Sequence, residues 1–454
     1  MKKESSAKDY LDRYGASQKW KIYAESIQGI RQVVVIPAYA EREMLFKTLA
    51  SLADNRASLL NQTLVICVIN NKENAPRWIR DNNAETIRIL EACIQRRLFD
   101  LRRCLHESQM ELELFQRIVS SGLRIAHIDA SSSGLEIPQR EGGVGTARKI
   151  GMDMAIRLLE GSGDGNLRFI LSLDADTLVR PDYLEAVLSS FPKKASAAVI
   201  SYEHQMPLST VERQAICVYE IFLRYWVWGL QYAESPYAFH SIGSTIVTTT
   251  EAYIAVRGMN RREAGEDFYF LNKLAKVGSV FNRTGTIVYP SARISRRVPF
   301  GTGATIEKIS ATHYLNFGFY DPVVFQILKS WLELIRTSYH RDADQILHDA
   351  KRIHRGLEDF LILKKFSSVW AKIQKNAKDS VVFERQCHGW FDGFVTLKLI
   401  NFLTRNYFPK ISAHAAIKKM ISLENTQFSL ASNDSWVWDI LTYLRRRSKK
   451  TNAP

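Results

Sequence analysis

Residues 169–184, FILSLDADTLVRPDYL, carry an apolar run into two aspartates, Asp174 and Asp176, separated only by Ala175. As the i and i+2 residues of a strand end, their carboxylates would leave on the same face. Two ionised carboxylates held that close repel unless a cation or a proton lies between them. A partly hydrated Mg²⁺ or Mn²⁺, shared with substrate phosphates, suits one or two such groups. The same triplet also reads as an ordinary strand-end turn with solvated aspartates.

Other segments bear on that choice. REGGVGTARKIGMDMAIRLL (140–159) leads through Gly142, Gly143 and Gly145 into a helix that carries Arg148 and Lys149 in its first turns. Amides and positive side chains at a helix start form an anion seat, although the glycines alone would also serve a turn. The segment has neither the G-K-[ST] ending of a P-loop nor a G-x-G-x-x-G fingerprint. In GMNRREAGEDFYFLNKLAKVG (258–278), Glu266 and Asp267 open an amphipathic helix whose apolar face holds Phe268, Leu271, Leu274 and Ala275. Acids suit a helix N-terminus for its dipole alone, or one of them is a general base. SARISRRVPFGTG (291–303) supplies Arg293, Arg296 and Arg297, which either face an anionic ligand or are solvated.

The elements that must position these groups alternate in the first two-thirds of the chain. QVVVIPAY, TLVICVIN, LRIAHIDAS, RFILSLDAD and SAAVISYE read as strands separated by helices, the pattern of an α/β fold with a mostly parallel sheet. Each of the first four ends in a polar or turn-forming group, where such a sheet opens its ligand crevice. The expected organisation is an N-terminal helical segment (1–30), an α/β domain (31–304) with a helical insertion at about 76–120, and a helical C-terminal region (305–454). NAETIRILEACIQRRLFDLRRCL within the insertion reads as one amphipathic helix. Ile346, Ala350, Ile353, Leu357 and Phe360 form a stripe that either packs within its own domain or makes a coiled-coil seam and a homo-oligomeric contact.

Composition narrows the class. The chain has 454 residues, 46% of them hydrophobic and 24% charged, values of an ordinary folded protein. Five cysteines without C-x-x-C spacing form neither a disulfide framework nor a zinc cluster, which suggests a reducing, cytoplasmic setting. The start MKKESSAKDYLDRYG lacks the apolar stretch of a secretory signal. ICVYEIFLRYWVWGLQY (216–232) comes nearest to a membrane span, but Glu220 and Arg224 interrupt it, leaving an interfacial or a packed core helix. The net charge of +15 points to an acidic partner. No nucleic-acid motif accompanies it, so a phosphate-bearing small molecule or peripheral contact with an anionic membrane fits better. The closing RRRSKK (445–450) reads as a solvated basic tail.

Taken in order, VVVIPAYAERE, a second strand ending VINN, the Gly/Arg helix, the D-x-D strand, SIGSTIV (241–247) and GEDFYFLNKL resemble the family 2 nucleotide-sugar glycosyltransferases, over about residues 31–290. The resemblance implies a Rossmann-like GT-A fold: a mixed, mostly parallel sheet flanked by helices, here with an α-helical C-terminal extension. It places Pro37, Ala38, Tyr39 and Glu41 around the nucleoside, with Ala40 where an asparagine is usual. Asn70, followed by Asn71, stands where an aspartate normally meets the base; an amide keeps a donor and an acceptor there but loosens the preference for uracil. Arg148 would lie over base and diphosphate, with Gly243 and Ser244 also at the donor. Asp174 would face ribose or metal, Asp176 the metal, and His313 would be a third ligand. Asp267 matches the general base and Glu266 a residue orienting it or the acceptor.

The implied cofactor is Mn²⁺ or Mg²⁺ and the implied donor a nucleoside-diphosphate sugar, UDP-linked by preference. The acceptor is a hydroxyl on an unspecified glycan, lipid or small molecule, which would attack the donor's anomeric carbon with inversion there. The Q-x-x-R-W motif of processive synthases is absent, which favours transfer of a single sugar. Competing readings are a haloacid-dehalogenase-like phosphatase, a nucleotidyltransferase and a catalytically silent sugar-nucleotide-binding scaffold. The phosphatase motif needs threonine where Leu178 stands, and the nucleotidyltransferase would carry glycines where PAYAERE has none.

Overall fold

The computed structural model describes residues 6–97, 109–160, 167–189, 191–192, 194–294, 302–312, 316–425 and 436–450. His313, Arg296, Arg297 and Cys104 lie outside the described residues. The chain divides into two units, one of residues 1–205, 241–304 and 448–454, the other of residues 206–240 and 305–447.

The first unit is built on a sheet of β1 (Ile22–Ala24), β2 (Gln32–Ala38), β3 (Thr63–Asn70), β4 (Arg124–Ala130), β5 (Phe169–Ser172), β6 (Leu178–Val179), β7 (Ala195–Tyr202), β8 (Ile246–Thr249) and β9 (Ser279–Tyr289). Their spatial order is β1-β4-β3-β2-β5-β8-β7-β9-β6. The expected mixed, mostly parallel α/β sheet is what forms. The central run β4-β3-β2-β5 is parallel, β7–β9 is parallel, and these ladders hold most of the paired residues. Strands β2 and β3 are buried along their whole length, as their unbroken β-branched runs require of a sheet covered on both faces.

The crevice position follows from the strand order. β2 has β3 on one side and β5 on the other, so the connections turn in opposite directions there and the loops after β2 and β5 diverge. The β2–β5 ladder ends at Val35↔Ser172. Pro37, which has no N–H to donate, therefore falls where β5 has already left the ladder.

The helix Gly143–Leu159 lies on β2 and β3, and Gly151 sets the closeness of that approach. A Cβ at Gly151 would meet Val35 Cγ1 at 2.4 Å and Val68 Cγ2 at 2.9 Å.

Several local expectations are revised. β5 stops at Ser172, so Asp174 and Asp176 sit in the turn that follows, closed by the Thr177 N–H donating to the Asp174 carbonyl (3.1 Å). The helix begun at Arg77 ends at Ile94. There Arg96 takes a left-handed conformation (φ 53°), and the Arg97 N–H reaches back to the Ala92 carbonyl (2.9 Å), closing the C-terminus. The stretch that carries the stripe from Ile346 to Phe360 is two helices, Ala343–Ile353 and Arg355–Leu363, because His354 is fully extended (φ −168°, ψ 135°).

In the second unit the aromatic helix Thr210–Tyr232 is a core helix. Its interrupting charges are satisfied internally: Glu220 is fully buried and takes Arg224 at 2.9 Å and Arg445 at 2.8 Å. Arg445 and Arg447 belong to the helix Trp436–Lys450, and Arg447 pairs with Glu424 (2.9 Å). The start of that basic run is thus helical, with Arg445 and Arg447 in ion pairs rather than solvated. Ile346, Ala350, Leu357 and Phe360 of the predicted stripe are buried in this unit's own core. Among the described residues no helix is long and apolar enough to cross a membrane. Cys67, Cys93, Cys217 and Cys387 are buried and free.

The Gly151 contact predicts that Gly151→Ala lowers unfolding free energy by about 1–3 kcal/mol through overpacking. Gly143→Ala, where an added Cβ meets nothing within 4 Å, changes it by no more than about 1 kcal/mol. Urea denaturation of both variants checks the contrast.

Candidate active site

Arg148, in the second turn of the Gly143–Leu159 helix, points to the carboxyl ends of the strands and is buried. Its Nε donates to Glu266 Oε1 at 2.9 Å, its Nη1 to Ser172 Oγ at 2.6 Å and to the Gly243 carbonyl at 3.4 Å, and its Nη2 to Asp174. Burial alone would make this guanidinium easier to deprotonate, but Asp174 and Glu266 outweigh it and hold its pKa above the usual arginine value. Gly243 is required here, since a Cβ would stand 2.2 Å from Arg148 Nη2. Ser244 is buried beside it, with an Oγ that has no hydrogen-bond partner among the described residues.

Lys149 does not share this site. Successive helical residues point about 100° apart, and its Nζ meets Asp153 (2.9 Å) and the Tyr10 hydroxyl (2.8 Å). The expected glycine anion seat is also modified. The Gly145 N–H is already bonded to the Arg262 carbonyl (3.0 Å). A Cβ at Gly142 or Gly145 would strike the backbone of residues 260–263. These glycines bring the segment preceding Glu266 against the helix start.

A second guanidinium closes the other side. Arg293 Nη2 contacts Glu41 and lies 3.1 Å from Asp176 Oδ2. The backbone around Asp176 is fixed independently, with Gln205 Nε2 donating to the Asp176 carbonyl (2.9 Å) and Thr48 Oγ1 to the Ala175 carbonyl (2.8 Å).

Of the residues expected at the nucleoside, Pro37 and Ala38 belong to β2 itself, and Tyr39 and Glu41 follow it. Ala40 between them is left-handed (φ 53°), a conformation that asparagine tolerates better than alanine. Asn70 is buried and spends its amide on the Ala38 (3.0 Å) and Val68 (3.2 Å) carbonyls. Asn83, not foreseen, ties this corner together. Its Oδ1 accepts from the Ala40 N–H (3.0 Å), and its Nδ2 donates to the Asn70 carbonyl (3.0 Å) and Asn71 Oδ1 (2.9 Å). The signal was a polar residue on the buried stripe of an amphipathic helix, between Ile79 and Thr86.

Asp267 differs from the other acids. Glu41, Asp174, Asp176 and Glu266 each contact Arg148 or Arg293. Among the described residues no arginine or lysine pairs with Asp267, whose Oδ1 accepts the Phe268 N–H at 2.7 Å. Solvent reaches part of its surface, yet the protein packed around it disfavours the charge. Burial first, then the negative charge of Glu266, push its pKa up from 3.8 to about 7. The folded chain thus holds a proton there that the unfolded chain releases. Stability contributed by this group is present below about pH 4 and lost as pH rises to about 7.

For a divalent ion the donor set is hard carboxylate oxygen, and Mg²⁺ or Mn²⁺ needs only one or two such groups when phosphates and water complete its shell. Asp176 fits that role, at the crevice and partly exposed. Asp174 is engaged by Arg148. Among the described residues no cluster of three or more histidine, cysteine or acidic side chains gathers as a metal centre.

No protein-family profile matches the chain, and no curated protein matches it. Among solved structures it is similar to several proteins at low sequence identity. One is the mannosyltransferase PcManGT from Pyrobaculum calidifontis with GDP-Man and Mn²⁺ (12% identity, 98% of this chain, 92% of that chain, TM-score 0.35). Residues 1–349 of S. aureus TarS are similar at 12% identity, 80% of this chain, 91% of that chain and TM-score 0.32, and TarS is also described with UDP-GlcNAc. A third is M. tuberculosis glucosyl-3-phosphoglycerate synthase (14% identity, 66% of this chain, 81% of that chain, TM-score 0.32).

The coupling of the two adjacent acids predicts that Glu266→Gln lowers the Asp267 pKa from about 7 toward the ordinary carboxylate range. Carboxyl ¹³C NMR titration reads this directly. Asp267→Asn, by the same linkage, flattens the fall in unfolding free energy between about pH 4 and about pH 7.

Proposed function

We propose that this chain is a metal-dependent, inverting glycosyltransferase that moves one sugar from a nucleoside-diphosphate sugar to a hydroxyl acceptor. The observation that carries the reading is Asp267, an acid that no arginine or lysine pairs with among the described residues, beside an arginine-bound acid cluster, with its pKa raised to about 7. A carboxylate so poised is suited to take a proton from an attacking hydroxyl near neutral pH. Glu266, held by Arg148, keeps the base oriented and keeps its pKa high.

The donor side is cationic. Arg148 and Arg293 face the crevice where the loops after β2 and β5 separate, and negative charge developing on a departing diphosphate is stabilised there. A Mg²⁺ or Mn²⁺ held by Asp176, with Asp174 alongside, would supply further charge to that leaving group. Tyr39 and Glu41 line the nucleoside side, with Asn70 and Asn71 shaping the base corner through the Asn83 network. A UDP-linked donor is favoured, and the net charge of +15 suits a cytoplasmic enzyme working at the inner face of an anionic membrane.

Donor hydrolysis across UDP-, GDP- and CDP-sugars with Mn²⁺ tests the reading. Asp267→Ala is expected to bind nucleotide normally and lose about 10²–10⁴ in turnover, and wild-type kcat/KM to rise with pH with a midpoint near about 7. Asp176→Ala is expected to lose nucleotide affinity in Mn²⁺. Unimpaired turnover in Asp267→Ala, or no binding of any nucleotide, would sink it.

A further inference from the structure

Two carboxylates from two different loops converge on one nitrogen of Arg293. Glu41 follows β2, Asp176 follows β5, and the point where these strands part is the topological switch of the sheet. One cation between two loops is the arrangement expected of a bridging metal ion. We propose that Arg293 is an internal counter-ion occupying the divalent ion's place at Asp176 when no donor is bound, so that guanidinium and metal are alternative occupants of one position. This rests on the transferase reading of the site and adds a specific order of events to it.

The two arginines of the site are built differently. Arg148 is 3% exposed and bonded on all three of its nitrogens. Arg293 is 33% exposed, and its Nε is buried without a hydrogen-bond partner among the described residues. It is therefore an incompletely satisfied residue, held less tightly than Arg148. Asp176, in contrast, stays where it is, because Gln205 and Thr48 hold its backbone. A guanidinium and a divalent ion repel at this range, so each weakens the other's hold on Asp176. Glu41, which is buried, keeps Arg293 nearby after it leaves Asp176. The displaced guanidinium then stands ready for the diphosphate that arrives with the ion, for which its planar fork is suited.

The test is Mn²⁺ titration of the full chain without nucleotide, following free Mn²⁺ by electron paramagnetic resonance. Arg293→Met is expected to bind Mn²⁺ about tenfold more tightly than wild type, through removal of the competing charge. Arg293→Lys, which retains the charge, is expected to stay within about threefold of wild type. Adding Asp176→Ala to Arg293→Met should abolish the gain.

Equal affinity in wild type and Arg293→Met, or equal gains in the Met and Lys variants, overturns the proposal. UDP binding in Mn²⁺, measured in parallel by calorimetry, separates the two levels. UDP bound by wild type together with a failed Arg293→Met gain removes the counter-ion role alone. No nucleotide bound by any variant removes the transferase reading with it.

Discussion

Everything at the crevice depends on burying one guanidinium. Arg148 joins its own helix to the end of β5 through Ser172 and Asp174, to the Gly243 step and to Glu266. A charge taken out of water is costly unless paired and hydrogen-bonded, so these segments must arrive together. Gly243 has no side chain because Arg148 fills that space. Gly142 and Gly145 have none because the segment leading to Glu266 fills theirs. Four motifs far apart in the sequence are thus one ion-pair assembly.

That assembly accounts for the different states of the acids. Asp174 and Glu266 are fixed by a buried positive charge, and Asp176 meets a more exposed one. Asp267 is next to a negative charge and, among the described residues, has no cation of its own, and its carboxyl retains a proton near neutrality. Chemistry with acid–base and anion-binding components needs such unequal environments for similar side chains.

Much of the fold was legible in the sequence. The β-branched runs at 32–38, 63–70, 124–130 and 195–202 fall in strands, and the amphipathic stripes fall in helices. Strands β1 and β6, three and two residues long, carry too little periodicity to recognise. β9 was hidden because its exposure does not alternate and its register with β7 shifts. At the site, the residue types at Arg148, Asp174, Asp176, Glu266 and Asp267 stood out, but not their pairing. Which acid meets which arginine depends on strand order, and Arg293 is some 117 residues in sequence beyond the aspartate it contacts. Lys149 looked equivalent to Arg148 because adjacency in sequence hides a turn of about 100° around the helix axis.

The Lys149 cluster has its own consequence. Asp153 accepts hydrogen bonds from Tyr10, Tyr253 and the Ala16 amide as well as pairing with Lys149. Two of those four partners come from the first sixteen residues, and β1 extends the sheet just after them. The leading segment is therefore a plug that completes the interior rather than a detachable arm. An expression boundary drawn at the start of β2 would uncork a charged pair and strip an edge strand, so shortened versions made for crystallography should begin ahead of Tyr10.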